Sequence, residues 1–276
     1  MFRKSLYKSP AQLRLMVRPG LLTESALDAV RAAIRPGVTT LELDAIAEDV
    51  VRSGGGIPNF QLEPGYHHTI CANVNEVVVH GIPDERPVEA GDLVTIDCGA
   101  MVDGWNGDAA FSVVVPGGSG ALVDVRERLS QATHDGLWAG IAALASARML
   151  GEVGAAVEDA IEAAGDYAIS DDWIGHGIGR AMHEEPPVFN YRTRVLGPAV
   201  KPGLCVAIEP IVVAGDQATR ILDDGWSVVT VDGSQACQWE HSVAVHADGI
   251  WVLTAADGGA AGLARFGVEP RPIRER

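Results

Sequence analysis

Carboxylates at the ends of apolar, strand-like runs are the feature that most constrains how this chain of 276 residues can fold. Four carboxylates and one histidine occupy such positions: Asp97, Asp108, His176, Glu209 and Glu240. A charged group inside a protein is costly unless it is paired or binds a metal. Carboxylates with one imidazole are ligands that suit divalent cations and hydrolytic chemistry. The sequence therefore predicts a fold that gathers these side chains around metal ions, as in a hydrolase.

The first two carboxylates lie on a predicted β-hairpin. Residues 93–100 read as a strand, Asp103-Gly104 is a turn signal, and residues 105–115 read as the returning strand. A turn centred just before Asp103 would place Asp97 directly opposite Asp108, with Cβ atoms roughly 4.5–5.5 Å apart. Two inward-facing carboxylates need a proton or a cation between them. A solvated hairpin is the alternative, and the apolar flanks of both aspartates argue against it.

The other two carboxylates repeat this pattern further along the chain. Residues 204–210 (LCVAIEP) form an apolar strand that ends at Glu209. Residues 239–245 (WEHSVAV) place Glu240 at the start of another strand. Glu209 alone is equally consistent with a strand-end carboxylate that reaches solvent, but the joint occurrence of four such carboxylates favours a shared site.

Three histidines supply further candidates. His176 is surrounded by glycines (GHGIG), which let the backbone approach closely and leave the ring accessible. His183 does not belong to the helical zinc motif, because Pro187 stands where a second histidine is required. His80 follows an apolar run and precedes a glycine. A single histidine at a strand end is more often structural, so the prediction rests on their combination.

Composition favours one large catalytic domain in a reducing compartment. A chain of this length buries roughly three quarters of its unfolded surface. Its four cysteines include no CxxC pair and are expected to be reduced thiols. The formal net charge of -16 argues against nucleic acid as a principal partner. No signal-peptide core follows the basic first twenty residues, and no run reaches the ~20 apolar residues of a membrane span, so the cytoplasm is expected.

Helical patterns indicate an internal duplication. The predicted helices form two pairs: 22–34 with 40–52, and 122–147 with 150–163. Thr39 or Thr40 is available as the N-cap of the second helix. A shift of 110 positions aligns Glu42 with Glu152. Each pair precedes strands that carry ligands, so two related α+β units are expected to meet at the metal site.

The expected domain layout follows from these patterns. It consists of an N-terminal segment (1–20), one catalytic domain (21–255, with halves of about 21–120 and 121–255) and a C-terminal tail (256–276). Gly, Pro and Arg dominate from Leu263 onward, and the tail is therefore expected to be mobile.

Several motifs occur in a fixed order along the chain: 75–83 (NEVVVHGIP), 96–97 (ID), 107–108 (GD), 175–179 (GHGIG), 183–186 (HEEP), 208–210 (IEP), 224–226 (DGW) and 240–241 (EH). Together they resemble methionine aminopeptidase, a group within the M24 metallopeptidases, over about residues 21–253. The short stretch between His183 and Glu209 leaves no room for the helical insertion of type II enzymes, so the chain resembles the bacterial type I enzymes. The zinc-binding N-terminal extension of eukaryotic cytosolic members is not expected.

The resemblance implies a fold and a metal centre. The fold would be the α+β pita-bread (creatinase/aminopeptidase) fold, in which helices cover a curved antiparallel sheet and a pseudo-twofold axis relates the two halves. Two divalent metal ions (Co, Mn, Fe or Zn) would bind. Asp97 would chelate one ion, while Asp108 and Glu240 would bridge both. His176 and Glu209 would complete the second site.

The resemblance also implies catalytic and substrate-binding roles. A hydroxide shared by the two metals would attack the scissile carbonyl, and Glu209 would shuttle protons. His183 would steady the developing oxyanion, and His80 would contact the scissile amide or the leaving group. The methionine side chain would lie in a small apolar pocket, whose wall would contain Tyr66, Cys71, Met182 and Trp226. The loop 58–66 and Met182 differ from the commoner bacterial pattern.

The implied function is removal of N-terminal methionine from nascent polypeptides near the ribosome, by a monomer without membrane or direct nucleic-acid contacts. Two other functions stay open. An Xaa-Pro aminopeptidase or prolidase uses a similar ligand set but usually has an extra N-terminal domain, for which too few residues precede His80. A non-catalytic, partner-binding homologue of the fold tends to lose ligands, whereas all five are present here. The same five side chains disfavour a metal-free hydrolase of the creatine-cleaving kind.

Overall fold

The structure is a computed structural model that describes residues 6–273 as helices packed on antiparallel sheets. The helices are α1 (Pro10–Ala33), α2 (Thr40–Ser53), α3 (Ala121–Leu144), α4 (Gly151–Ala164) and α5 (Ala260–Leu263). The strands of the first half are β1 (Ile57–Pro58), β2 (Ile70–Val74), β3 (Val77–Val79), β4 (Leu93–Val102) and β5 (Trp105–Val114). Those of the second half are β6 (Ala168–Ile169), β7 (Gly175–Gly177), β8 (Glu184–Val188), β9 (Cys205–Ile208), β10 (Ile211–Val213), β11 (Thr219–Ile221), β12 (Val228–Thr230), β13 (Ala236–Gln238), β14 (Glu240–His246) and β15 (Gly249–Val252).

One large sheet joins the two halves. Its strand order is β1-β4-β5-β14-β9-β7-β8, with β2 paired to β4 and β15 paired to β14. Two smaller sheets, β13-β10-β6 and β11-β12-β3, lie beside it. Strands β2, β4 and β5 of the first half lie on one side of the sheet's centre, and strands β14, β9 and β7 of the second half lie on the other. The two sets are joined by the pairing of β5 with β14. Strands from both halves therefore lie side by side at the centre of the sheet.

The helices confirm the predicted internal duplication. Helices α1 and α3 both contain 24 residues, and α2 and α4 both contain 14. Helices α1 and α3 begin at Pro10 and Ala121, and helices α2 and α4 begin at Thr40 and Gly151. In both pairs the starts are 111 positions apart, one more than the predicted shift. Thr39, one of the two residues predicted as the N-cap of this helix, caps α2 and forms a capping box with Glu42.

The predicted start of the first helix at residue 22 is wrong. Helix α1 begins at Pro10, where the Ser9 side chain caps it together with Gln12, and it continues through Pro19. A proline followed by a glycine ordinarily ends a helix. Tertiary packing overrides that preference, because Leu13 and Met16 are buried in an apolar cluster with residues of the second half. The predicted domain boundary between residues 20 and 21 consequently falls inside α1.

Gly107 of β5 lies where this strand approaches α1. A Cβ added there would lie 2.7 Å from Gly20 N and Pro19 C. Backbone atoms cannot move aside as a flexible side chain can, so we expect Gly107→Ala to overpack the contact and lower the free energy of unfolding by about 1–3 kcal/mol. The midpoint of urea unfolding measures this change, and a midpoint equal to that of the parent protein would contradict the close approach.

The C-terminal tail differs from the expectation of mobility. Leu263 is fully buried in the core of the second half, beside Trp138. Further on, Arg271 N–H donates to Ile250 O at 2.9 Å, and Arg271 O lies 2.7 Å from His246 Nε2. One buried leucine and main-chain hydrogen bonds thus hold this segment despite its composition; residues 274–276 of the predicted tail lie outside the described residues. Within residues 6–273, no helix is long and apolar enough to cross a membrane.

Candidate metal centre

The β4–β5 hairpin turns at two residues with left-handed backbone. Asp103 has φ 52° and Gly104 has φ 71°. This combination is typical of a type I′ turn, whose twist matches that of the adjoining strands. Val102 pairs with Trp105, so the turn is centred between Asp103 and Gly104.

The turn sets the register of the first two carboxylates. Asp97 lies opposite Ala110, and Asp108 lies opposite Gly99. The predicted direct opposition of Asp97 and Asp108 is therefore wrong, because the turn is centred one residue later than assumed. The partner of each residue shifts by two positions, and a shift of two leaves side chains on the same face of the sheet. Both aspartates still face one side, in diagonal positions.

Glu240 joins this face from the other half of the chain. Ala110 of β5 pairs with Asp97 on one side and with Glu240 of β14 on the other. Asp97, Ala110 and Glu240 therefore lie in one row across three neighbouring strands, with the small alanine between the two carboxylates. Glu209 directly follows β9, whose last residue, Ile208, pairs with the neighbour of Glu240 on β14. The centre of the sheet therefore brings together carboxylates from both halves.

His176 approaches the carboxylates from β7, where it pairs with Ala207 of β9. Its Nε2 lies 3.5 Å from Glu209 Oε1 and 3.9 Å from Asp108 Oδ2. Its Nδ1 lies 3.0 Å from Gly177 O, so a proton on Nδ1 is donated to that carbonyl and the Nε2 lone pair faces the carboxylates. Asp108, His176 and Glu240 each offer a ligand atom within 4.8 Å of the others.

The buried carboxylates lack enough hydrogen-bond donors. Asp97 Oδ1, Asp108 Oδ1 and Glu240 Oε1 are buried and have no hydrogen-bond partner among the described residues. Gln238 lies between Asp97 and the fourth carboxylate, Glu209: its Nε2 is 3.5 Å from Asp97 Oδ2 and 3.2 Å from Glu209 Oε2. Buried carboxylate oxygens without hydrogen-bond partners are groups that a divalent cation can satisfy.

The electrostatics agree with this fit. Burial raises the pKa of Asp97 to about 7. Burial, followed by repulsion among the carboxylates, raises the pKa values of Asp108, Glu209 and Glu240 well above their usual range. Burial lowers the pKa of His176 to about 4, which keeps the imidazole neutral and able to bind a metal at neutral pH.

A cavity of about 370 Å³ opens over these ligands. Every residue that the sequence predicted for catalysis, metal binding or substrate binding lines it: Tyr66, Cys71, His80, Asp97, Asp108, His176, Met182, His183, Glu209, Trp226 and Glu240. The His183 ring lies beside the His176 ring, with centroids 4.5 Å apart. His80 has φ 58°, a strained conformation for a residue with a side chain, and its ring packs edge-on against Trp173 at 4.8 Å.

One end of the cavity is apolar. Phe60, Tyr66 and Cys71 form a buried cluster there, against which Met182 and Trp226 pack. The Tyr66 ring contacts the Trp226 ring edge-on at 5.1 Å, and the Tyr66 hydroxyl donates to Ile70 O at 2.7 Å. The Tyr66 hydroxyl is thus satisfied by the main chain of β2.

Comparison with known proteins decides the family. The sequence pattern of metallopeptidase family M24 matches residues 14–247, which include all five predicted ligands. This chain belongs to metallopeptidase family M24. Membership in a metallopeptidase family and the unpaired carboxylate oxygens together assign divalent metal binding to the cavity.

Relatives within the M24 family are similar over most of their length. The chain is 46% identical over 253 residues to methionine aminopeptidase 1 of Mycobacterium tuberculosis, covering 90% of this chain and 94% of the relative. The crystal structure of methionine aminopeptidase from Thermotoga maritima superposes with a TM-score of 0.85 at 33% identity, covering 92% and 99% of the two chains. Prolidase from Pyrococcus furiosus shares the fold at 20% identity, with a TM-score of 0.65, and this chain spans 66% of it. The α+β pita-bread fold expected from the motifs is thus confirmed.

Sequence reasoning missed two polar residues of this M24 site. Gln238 lies two positions before Glu240 and is almost fully buried between Asp97 and Glu209. The alternation of side chains along extended backbone is the signal that places a residue two positions from a ligand on the same face. Trp173, three positions before His176, lines the cavity with its indole nitrogen buried and without a hydrogen-bond partner among residues 6–273. No local pattern singles it out.

The metal-free M24 site makes stability depend on pH. The folded pKa of Asp97, about 7, lies above its ordinary value of 3.8, and the other three carboxylates are also raised. Above about pH 7.5 the unfolded chain holds no proton on these groups and its histidines are neutral, so the folded state binds more protons. The free energy of unfolding then falls as pH rises through the folded pKa values.

We therefore expect chelator-treated protein to melt at a lower temperature at about pH 8.5 than at about pH 7.5. Saturating Mn(II) should remove most of this slope and, at a hundred times its Kd, stabilise the fold by about 2.7 kcal/mol. Thermal unfolding followed by circular dichroism measures both effects. Identical melting curves with chelator and with Mn(II) at both pH values would contradict a buried carboxylate site that binds metal.

Proposed function

We propose that this M24 metallopeptidase is a methionine aminopeptidase, which removes the N-terminal methionine from peptides and nascent polypeptides. The observation that carries this proposal is that one cavity is lined both by the buried candidate metal ligands and by an apolar cluster of side chains. Relatives that are 46% and 36% identical over most of the chain are named methionine aminopeptidases. An aminopeptidase selective for methionine needs a metal site beside an apolar pocket, and the lining of this cavity supplies side chains for both.

We propose that the site binds two divalent ions, each of them Co, Mn, Fe or Zn. The five side chains that would hold them are Asp97, Asp108, His176, Glu209 and Glu240, with Asp108 and Glu240 shared. When bound, divalent cations polarise a carbonyl oxygen and lower the pKa of water toward neutrality. A carboxylate-rich set with one imidazole admits several of these metals, because affinity depends as much on availability as on geometry.

The side chains of this chain then position the substrate and move protons. The Glu209 carboxylate, whose Oε1 lies 3.5 Å from His176 Nε2, is placed to accept a proton and return it to the leaving amine. Burial lowers the pKa values of His183 and His80, so both rings are neutral and can each donate one N–H at neutral pH. We assign His183 to the developing oxyanion and His80 to the scissile amide.

The pocket accounts for selection of methionine. The apolar space next to the ligands is lined by Phe60, Tyr66, Cys71, Met182 and Trp226. An unbranched thioether fits such a space and makes favourable contacts between sulfur and aromatic rings. Shape and apolarity, rather than hydrogen bonds, would therefore select the first residue of the substrate.

A choice between two peptides separates this function from the prolidase activity that the fold also supports. Protein loaded with Mn(II), Co(II) or Fe(II) should release methionine from Met-Gly-Met-Met and leave a Gly-Pro dipeptide intact. Preferential cleavage of Gly-Pro would overturn the assignment in favour of an Xaa-Pro peptidase. Release of no amino acid from either peptide would favour a non-catalytic, partner-binding role for the same fold.

The proposed function also implies where the protein acts and in what oligomeric state. We propose a cytoplasmic monomer that acts on nascent polypeptide N-termini near the ribosome, without membrane contact or a direct nucleic-acid site. The formal net charge of -16 supports this, since it disfavours contact with phosphate backbones. Sedimentation of the purified protein tests the monomer, and a dimer at micromolar concentration would contradict it.

A further inference from the structure

A short turn between β7 and β8 carries two residues of the cavity. Met182 and His183 lie directly before Glu184, the first residue of β8. The Glu184 carboxylate folds back over this turn. Its Oε1 accepts hydrogen bonds from Arg180 N–H at 2.8 Å and from Ala181 N–H at 3.0 Å. The carboxylate therefore fixes the backbone of the turn by accepting hydrogen bonds from two of its N–H groups.

A lysine from before α1 reaches the same carboxylate. Lys8 Nζ lies 3.1 Å from Glu184 Oε2, across 176 positions of sequence. Only 7% of the Lys8 side chain is exposed, whereas most other ion pairs of the described chain lie at the surface. A Cβ added to Gly179 would lie 2.5 Å from Lys8 Cε, so the lysine stem packs directly on the turn.

The backbone around Lys8 is itself anchored. Lys8 N–H donates to Gly203 O at 2.8 Å, just before β9. Next to it, Tyr7 packs its ring under the Lys201 ammonium at 4.1 Å and donates from its hydroxyl to Ala199 O at 2.8 Å. The lysine is thus presented to the turn by a fixed segment and not by a free end.

The surroundings of Glu184 keep its carboxylate ionised. Burial raises the pKa of Glu184, but the N–H groups of Ala181 and Arg180 and the Lys8 ammonium lower it more, and the pKa lies below its usual value. An ionised carboxylate accepts hydrogen bonds more strongly than a neutral one. A buried cation that loses its partner is strongly destabilising, so each charge depends on the other.

We propose that Lys8 and Glu184 are positioning residues for the reaction: the segment before α1 holds, through the Glu184 carboxylate, the turn that aims His183 into the cavity. Neither residue lines the cavity, and both act through the backbone of residues 180–183. This inference rests on the proposed aminopeptidase function. A displacement of about 1 Å in a catalytic group lowers rates by as much as ~100-fold, so loss of this support should reduce kcat.

The test uses full-length protein loaded with Mn(II) and compares Lys8→Met and Glu184→Gln with the parent. Both variants should lower kcat for Met-Gly-Met-Met about tenfold, with KM and metal content within about twofold of the parent. Because Lys8 acts through Glu184, the double variant should lose little more than Glu184→Gln alone. The matched control is Arg128→Met, which removes one exposed positive charge from α3 without touching Glu184 or the segment that presents Lys8, and should keep the parent kcat.

A second readout does not depend on activity. Trypsin cleaves after exposed arginines, and Arg180 lies exposed on the turn. Cleavage between Arg180 and Ala181, followed by mass spectrometry, should be at least several-fold faster in Lys8→Met and Glu184→Gln than in the parent or in Arg128→Met.

Parent kcat and parent cleavage rate in both variants would overturn the inference, as would a fully additive loss in the double variant. If one variant does not fold, the other decides. If the parent protein itself releases no methionine, the proposed function fails, and the trypsin measurement alone decides whether the pair orders the turn.

Discussion

Asp108→Asn is expected to release metal and to lower kcat/KM for Met-Gly-Met-Met by at least about 1000-fold, because the loss of metal-derived stabilisation amounts to several kcal/mol. Asp108 lies among His176 and Glu240, with ligand atoms within 4.8 Å of one another, and its Oδ1 has no other partner among the described residues. The amide keeps the shape of the side chain but removes the negative charge that two cations would share. Loss of this one residue should therefore weaken both sites together.

Elemental analysis after gel filtration measures the retained metal directly. The matched control is Asp103→Asn on the same hairpin, since Asp103 is exposed and asparagine suits a type I′ turn. The control should keep the parent's metal content and activity. Two metal ions bound tightly to Asp108→Asn would show that Asp108 is not a bridging ligand.

His183→Ala is expected to keep the metal content of the parent and to lower kcat by about 100-fold, the usual size of the loss when one oxyanion donor is removed. The ring lies at the cavity wall beside His176, and burial lowers the pKa of His183 so that it is a neutral donor at pH 7. A donor that acts mainly in the transition state affects kcat more than KM.

Steady-state kinetics on the same peptide test this role, together with elemental analysis. The control is His67→Ala, an exposed histidine outside the cavity lining, which should retain parent kinetics. Unchanged turnover of His183→Ala would contradict the oxyanion role. Loss of metal from His183→Ala would instead indicate that His183 is a ligand.

The ligand set was predictable from the sequence because each member carries a local signal. Glu209 and Glu240 sit at the ends of apolar strands, and a buried carboxylate without a partner is rare enough to be informative. The hairpin turn was also predictable from Asp103-Gly104. The turn is centred one residue later than predicted, so Asp97 pairs with Ala110 and not with Asp108. The prediction that both aspartates face the same side of the sheet still holds, because strand side chains alternate with period two.

Tertiary contacts decide what the sequence did not predict. The predicted first helix starts at residue 22, whereas α1 runs through Pro19-Gly20, where Gly107 lets the helix pack closely on β5. The tail was expected to be mobile from its composition, whereas Leu263 anchors it in the core. The contact between Lys8 and Glu184 spans 176 positions, and no local periodicity signals a pair at that separation.

The most direct measurement is the release of free methionine from Met-Gly-Met-Met by protein that has been stripped with a chelator and then titrated anaerobically with Mn(II), Fe(II) or Co(II). We expect no release from the stripped protein and a saturable recovery as cation is added, with Asp108→Asn failing to recover. Methionine release that survives complete removal of metal, or no release at any cation concentration, would contradict a metal-dependent aminopeptidase built on the carboxylates of this cavity.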